Sequence, residues 1–347
     1  MTCLIGWDLG GANLKLARIE EGRPIHAAQI PCPVRQDVSK FDAALGEALR
    51  LCPPGAAHAV TMTGELSDVF CDRAEGVAYL VDMMRTASDG EALFYGGRSG
   101  FLDCFRAVER SFDVASANWH ASATLVAQSF PDGLFVDIGT TTTDLIPFKA
   151  GAVVARGYTD GERLAESELI YTGVVRTPVM AVARTAPFRG RMQRIAAERF
   201  ATMADVWRLL GELPANADPY RAPDLMGKST QESAARLARM LGRDASEAGL
   251  LAFADLARHF ADCQLTEIEA AALELAEREE IEADAPVIGA GCGRFIARHL
   301  AQRLGRPYCD FADLVACAPS MREMAASCAP AVAVGLLAER KLVLSSA

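Results

Sequence analysis

The stretch FVDIGTTTTDLIPF (135–148) decides how this chain is read. Phe135, Val136, Ile138, Leu145, Ile146 and Phe148 suit a strand buried on both faces. The run is interrupted by Gly139 and the threonines 140–143, with Asp137 and Asp144 on either side. A plain hairpin with a threonine-rich, β-prone arm is one use for such a run. The other is a strand that ends in an acid and opens into a hydroxyl-lined turn. There backbone N–H groups and hydroxyls converge on one point, a concavity suited to phosphate oxygens. Asp137 would be repelled by phosphate, but it can hold Mg²⁺ or its waters, since that ion takes one or two carboxylates plus phosphate oxygens.

A shorter echo lies near the start. WDLGGANLK (7–15) repeats the order apolar, Asp, apolar, Gly, then small or polar residues. Two strand–turn units of this kind are what a duplicated domain leaves behind. On this reading Asp8 and Asp137 are the metal candidates, and Gly10, Gly11, Gly139, Thr140, Thr141 and Thr142 form the cradle. The third turn is GAGCGRF (289–295), after the apolar PVI and before a helix pattern. Gly289, Gly291 and Gly293 would bring backbone close to an anion or nucleotide at a helix N-terminus.

Bulk composition removes several classes. Hydrophobic residues make up 51% and charged ones 23%, an ordinary globular balance. The formal net charge of −10 argues against a nucleic-acid partner, which needs a basic face. The cysteines form no C-x-x-C pair, so neither zinc nor a redox motif is expected, and they read as small buried hydrophobes in a reducing cytoplasm. TCLIGWDLG (2–10) enters a strand pattern with no basic leader, and CAPAVAVGLLA (328–338) is too short to span a bilayer. A cytoplasmic protein with no membrane partner is the expectation.

Alternating strands and helices predict an α/β fold. CLIGWD, LKLARIEEG, HAAQIPC, AHAVTMTGE, EALFYGG, FDVASAN and LFVDIG read as strands, and VSKFDAALGEALRLC (38–52) and HASATLVAQSF as helices. Residues 159–245 read as a mostly helical, arginine-rich insertion. A long helix follows, its stripe running through Leu251, Ala254, Ala257, Ala261, Leu265, Ile268, Ala272 and Leu275. CAPSMREMAASCAPAVAVGLLAERK (317–341) reads as one final helix.

The order D-x-G, D-x-G-T, G-x-G resembles the actin / sugar kinase / heat-shock chaperone superfamily. GWDLGGANLK, NWHASA (118–123), VDIGTTTTDLIP, YTGVVRTPV (171–179) and GKSTQESAARLARMLGRD (227–244) are similar to one branch of it. That branch is the hydantoinase/oxoprolinase-like proteins of tetrahydromethanopterin-linked one-carbon transfer, with its methanofuran-biosynthesis synthases. The resemblance runs from residue 3 to about 340. It implies an actin-like ATPase (ribonuclease H-like) fold of two duplicated domains, each with a central mixed sheet flanked by helices. We expect them at 1–130 and 131–345, with the active site in the cleft separating them. It also implies a transferase joining a furanylmethyl diphosphate to the phenol oxygen of a γ-glutamyl-tyramine-type acceptor, with release of pyrophosphate.

Asn13 and Lys15 stand where sugar kinases and chaperones usually carry Thr or Ser. Lys15 can reach a phosphate as a point charge, which suits a diphosphate substrate where ATP would otherwise sit. Glu65, at a strand end, is a candidate base for the phenol proton, against a surface turn acid. Asn118 and His120 are candidates for substrate or phosphate contact, against a histidine satisfied at a helix start. Asp144 can orient Lys15 or the metal, and Arg176 can meet substrate, against local packing. Lys228 and Arg236 read as a solvated helix face, and Trp7 as core. The expected ligands are Mg²⁺, a small-molecule diphosphate and a phenolic acceptor. ATP or ADP remains open, and association into a homo-oligomer is compatible with all of this. The alternatives are an ATP-dependent kinase or hydantoinase/oxoprolinase-type amidohydrolase, and a non-enzymatic nucleotide switch.

Overall fold

The computed structural model describes residues 3–34, 37–88 and 91–346. The chain forms two compact units, residues 1–133, 148–166 and 309–347 in the first and 134–147 and 167–308 in the second. The last segment, 309–347, expected with the second half, belongs to the first unit.

In the first unit β1 (Leu4–Leu9), β2 (Asn13–Glu20) and β3 (Arg23–Pro31) form an antiparallel meander. After α1 (Ser39–Leu49), strand β4 (Ala57–Met62) pairs parallel with β1. Helix α2 (Arg73–Ala87) leads to β5 (Ala92–Tyr95) and β6 (Phe101–Leu102), so the sheet runs β3-β2-β1-β4-β5-β6. All six residues of β1 are buried, as a central strand covered on both faces requires. Trp7, Leu9, Phe41, Leu45, Val60, Leu80 and Phe94 pack in the core on one side. Trp7 is core as expected, its indole N–H donating to His58 Nδ1 at 2.9 Å.

FDVASAN, expected as a strand, is helical instead. After α3 (Cys104–Glu109) comes α4 (Ser111–Val114), then a left-handed Ser116 (φ 53°) and α5 (Asn118–Ala127). Val114, Ala115 and Ala117 are all buried, so the apolar positions do not alternate as a half-buried strand would.

The second sheet repeats the plan. β7 (Gly133–Ile138), β8 (Thr143–Lys149) and β9 (Ala152–Val153) are followed by α6 (Asp160–Ala165) and β10 (Leu169–Ile170). Next come α7 (Val179–Val182), the hairpin β11 (Thr185–Phe188) and β12 (Arg191–Arg194), α8 (Met203–Leu209), α9 (Thr230–Met240) and α10 (Leu250–Arg278). β13 (Val287–Ala290), α11 (Arg294–Leu304) and β14 (Tyr308–Asp310) complete it. The order β10-β8-β7-β13-β14, with β7 and β13 parallel, matches β3-β2-β1-β4-β5. Two mixed sheets of the same order are the duplicated ribonuclease H-like arrangement of the actin-like ATPase fold, and Asp8 and Asp137 are the penultimate residues of the matching strands.

The insertion departs from its expected helical character. Thr185–Arg194 turns back at Arg189-Gly190, both left-handed, and pairs as β11–β12. Arg236 is no solvated face residue. It is fully buried, with Nε donating to Asp205 Oδ1 at 2.8 Å and a terminal nitrogen to Asp224 Oδ1 at 3.1 Å. Lys228 donates to the Asp218 carbonyl at 2.7 Å. The capping box of Ser229 with Glu232 starts α9 and orients this network. On α10 the buried stripe runs through Phe253, Leu256 and Phe260 as well as Ala257, Leu265 and Ile268, while Leu251 is 80% exposed.

The final helix is broken. The chain passes through α12 (Phe311–Leu314) and α13 (Arg322–Ser327), then bends by 100° into α14 (Ala329–Ser346). Pro330 explains the break, because it lacks the N–H and its ring clashes with a preceding turn, so it suits only a first turn. Among the described residues no single helix is long and apolar enough to cross a membrane.

Candidate active site

In the first unit, Asp8 lies in register with Lys15 on β2 and Thr61 on β4, so the three side chains share one face of the sheet. Lys15 Nζ is 3.7 Å from Asp8 Oδ2, with the Asp8 side chain 5% exposed and Lys15 22%. Thr61 is fully buried and its hydroxyl has no protein partner among the described residues. The turn after β1 is pinned by the loop after β4, since Thr63 N–H donates to the Leu9 carbonyl at 3.0 Å. At Gly10 a Cβ would lie 2.6 Å from the Asn13 carbonyl, a backbone atom that cannot swing aside, whereas at Gly11 it would meet only the Ser67 hydroxyl. Asn13 is buried where β2 begins.

Glu65 follows two residues after Thr63 and is 1% exposed, far from the surface turn acid that was its alternative. Its Oε1 accepts from Ser116 Oγ at 2.8 Å, while Oε2 is buried with no hydrogen-bond partner among the described residues. Burial pushes its pKa up to about 7; Ser116 opposes the shift and Asp160 adds to it. Ser116, held left-handed just before α5, was not singled out by its sequence; only the strain marks it. Asn118 begins α5 and is half-buried. His120 Nδ1 lies 2.9 Å from Tyr95 Oη and 3.2 Å from Thr124 Oγ1. Burial, then Arg98 and Arg163, lowers its pKa to about 4, so it is a neutral imidazole. Trp119 carries the Arg163 guanidinium 4.2 Å above its ring.

The buried Glu65 carries a pH signature. Below pH 4.5 the carboxyl is neutral in folded and unfolded chains alike. As pH rises towards 7 the unfolded chain ionises first, so stability falls across that window by as much as roughly 3 kcal/mol. Urea unfolding between pH 4 and 8 is expected to show this loss in the wild type and a flatter profile in Glu65→Gln. Equal slopes in the two proteins would refute it.

In the second unit, the threonine turn is fastened from beneath. Gly139 N–H donates to the Thr142 carbonyl at 2.9 Å, closing the turn. The carbonyl of Gly139 accepts from Val174 N–H at 3.0 Å, and that of Thr140 from Val175 at 3.1 Å and Arg176 at 2.8 Å. In a trans peptide the N–H points opposite to its carbonyl. Tying these two carbonyls down therefore turns the Thr140 and Thr141 N–H groups outward, and no described protein group accepts either. Arg176 thus enters through its backbone, and its side chain is half-buried. Thr141 and Thr142 are half-buried as well, and Asp144 lies in β8 opposite Leu169.

The glycine turn meets the same strand end. Asp137 pairs in register with Ala290, and Gly293 N–H donates to the Ile138 carbonyl at 2.8 Å. Gly291 is left-handed (φ 81°), and a Cβ there would strike both the Ile138 carbonyl and Asp137 Oδ1. At Gly289 a Cβ would lie 2.6 Å from Tyr308 Oη. Within this unit, Asp137, Gly139, Thr140, Gly291 and Gly293 therefore surround one strand end, and no side chain caps α11 at Gly293. Asp8, Gly10, Gly11, Asn13, Lys15 and Thr61 gather in the first unit. Among the described residues no three His, Cys, Asp or Glu side chains are grouped to hold a metal.

Comparison with known proteins bears on both units. The hydantoinase/oxoprolinase family model matches residues 56–325. The chain is 33% identical over 244 residues, 70% of its length and 72% of the relative's, to a (4-{4-[2-(gamma-L-glutamylamino)ethyl]phenoxymethyl}furan-2-yl)methanamine synthase of Methanocaldococcus jannaschii. It is 31% identical over 114 residues to the enzyme of that name from Methanococcus vannielii, spanning about half of that relative (51%). Among solved structures, a nucleotide-free acetone carboxylase superposes with a TM-score of 0.54 at 8% identity, covering 88% of this chain and 68% of that one, a likeness of fold alone. By the extent of the family match and the identity shared along most of its length, the chain belongs to the hydantoinase/oxoprolinase family, in the branch that holds these methanofuran-biosynthesis synthases.

Proposed function

We propose that the protein is a transferase of methanofuran or methylofuran biosynthesis. It joins an (aminomethyl)furanylmethyl diphosphate to the phenol oxygen of a tyramine- or tyrosine-type, γ-glutamyl-bearing acceptor and releases pyrophosphate. The activity named for the two relatives supports the substrate class. The observation that carries the chemistry is the threonine turn, whose fastened carbonyls leave the Thr140 and Thr141 N–H groups facing out as anion donors.

In the reaction the bond from the furanyl CH₂ to the diphosphate oxygen breaks, and its electron pair leaves with the diphosphate. The phenol oxygen forms the new C–O bond and its proton passes to a base. In the second unit the outward N–H groups take up charge developing on the leaving group, electrostatic stabilisation that operates most strongly as the bond breaks. In the first unit the Lys15 ammonium is a cation suited to a phosphate oxygen. Glu65, whose Oε2 has no partner among the described residues and whose pKa is pushed up to about 7, is tuned to accept the phenol proton at neutral pH. Asp8 and Asp137 are hard carboxylate donors of the kind Mg²⁺ prefers, and Gly291 keeps space open beside Asp137 Oδ1. Each, in its own unit, is a carboxylate that would hold such an ion, which when bound neutralises charge on a diphosphate. We infer a cytoplasmic enzyme acting on small molecules.

A second reading, ATP-dependent phosphoryl transfer or amide hydrolysis, is favoured by the glycine turn at the uncapped start of α11. One assay separates them: pyrophosphate release from a furanylmethyl diphosphate and a phenolic acceptor, with and without ATP. Release without ATP is expected. ADP formation with no pyrophosphate from the diphosphate would overturn the transferase reading.

A further inference from the structure

The Thr172–Thr177 loop, which holds the threonine turn from beneath, is itself seated by one side chain of α10. Gln264 is fully buried in an otherwise apolar stripe. Its Oε1 accepts from Trp207 Nε1 at 2.9 Å. An indole N–H can only donate, so this bond fixes which way the amide faces. Nε2 then points to the loop and donates to Thr172 Oγ1 at 2.8 Å and to the Gly173 carbonyl at 3.0 Å. An amide at a core position costs free energy unless its groups are paired, and here three bonds pair it. A leucine would fill the place with no such demand.

The loop has little freedom beyond these contacts. Gly173 N–H donates to Thr177 Oγ1 at 2.8 Å, and Thr143 Oγ1 donates to the Thr172 carbonyl at 2.6 Å. A Cβ on Gly173 would lie 2.5 Å from Thr141 N, so the loop backbone rests directly on the turn. The next three N–H groups, of Val174, Val175 and Arg176, are those that hold the Gly139 and Thr140 carbonyls.

We infer that Gln264, locked by Trp207, is a positioning residue for the anion cradle. It sets the height of the 172–176 loop and, through it, the direction of the Thr140 and Thr141 N–H groups. The role rests on the proposal that this turn receives the diphosphate.

Thr172→Val and Gln264→Glu test it, with Thr172→Ser as the conservative rescue. Calorimetry with inorganic pyrophosphate, KM for the phenolic acceptor, and hydrogen exchange at Val174–Arg176 are measured on the whole protein. Thr172→Val is expected to weaken pyrophosphate binding about tenfold, the scale of one lost buried hydrogen bond. The acceptor KM stays unchanged, loop exchange quickens, and Thr172→Ser stays within about twofold of wild type. Gln264→Glu moves the same way and further, because a carboxylate oxygen then faces the Gly173 carbonyl. Folded Thr172→Val and Gln264→Glu proteins that bind pyrophosphate like wild type overturn the role. So do equal losses for pyrophosphate and acceptor, which would mark general packing. Should Gln264→Glu not fold, the two Thr172 variants decide. A wild type that binds no pyrophosphate removes the diphosphate reading itself, whereas wild-type binding with unaffected variants removes only the positioning role.

Discussion

Asp8→Asn is expected to lower pyrophosphate release by about 10²–10³-fold, the loss that follows removal of one preorganised electrostatic group. The carboxylate is almost enclosed and stands beside Lys15, so its charge acts in a medium that screens it poorly. Asn keeps the shape and one oxygen but removes the charge that the proposed cation would need. The fold should tolerate the change: Lys15 is 22% exposed and its stem lets the ammonium reach water. Initial rates of pyrophosphate release, read beside the urea midpoint, separate the two effects. A variant that keeps more than a tenth of wild-type activity would remove Asp8 from the site, and one that loses activity only because it unfolds would make it structural.

The largest effect on stability is expected at Gly6. A Cβ there would strike the Ala331 carbonyl and lie 2.8 Å from Gly335 N, because the backbone of α14 rests on β1 at this point. Neither neighbour is a side-chain tip that can swing aside. Gly6→Ala should therefore cost about 3 kcal/mol or more, the upper end for overpacking. Gly46 is the internal contrast. It sits mid-helix in α1, and a methyl group added there would meet nothing within 4 Å, so Gly46→Ala should stabilise by roughly 0.5–1 kcal/mol. Chemical denaturation of the two variants checks both signs. Equal midpoints would mean that α14 can move away from the sheet at little cost.

What the sequence made legible follows from which side chains report their surroundings. β1, β7 and β13 were readable because strands covered on both faces must be apolar nearly throughout, and each runs into a glycine turn. The two acids at matching strand ends revealed the duplication. Residue type says nothing, however, about partners distant in the chain. Arg236 looks like a solvated residue until Asp205 and Asp224 are beside it, and Gln264 looks misplaced until Trp207 and Thr172 are. Glu65 was legible as an acid at a strand end. Its burial was not, because α2 seats Gly76 against its backbone and Ser116 covers its carboxylate. Helix α2 itself was not anticipated, although Asp72, accepting from Glu75 N–H, is a cap its sequence displays.

The placement of α14 orders events in time. β1 needs Gly335 and Ala331 to cover its Gly6 face, and these residues lie some three hundred positions later in the chain. Every segment of the second unit has been synthesised before that cover exists. A nascent chain can thus finish the threonine-turn unit while the sheet bearing Asp8 still has an apolar face open to water. The strand that is made early is among the last to be sheltered.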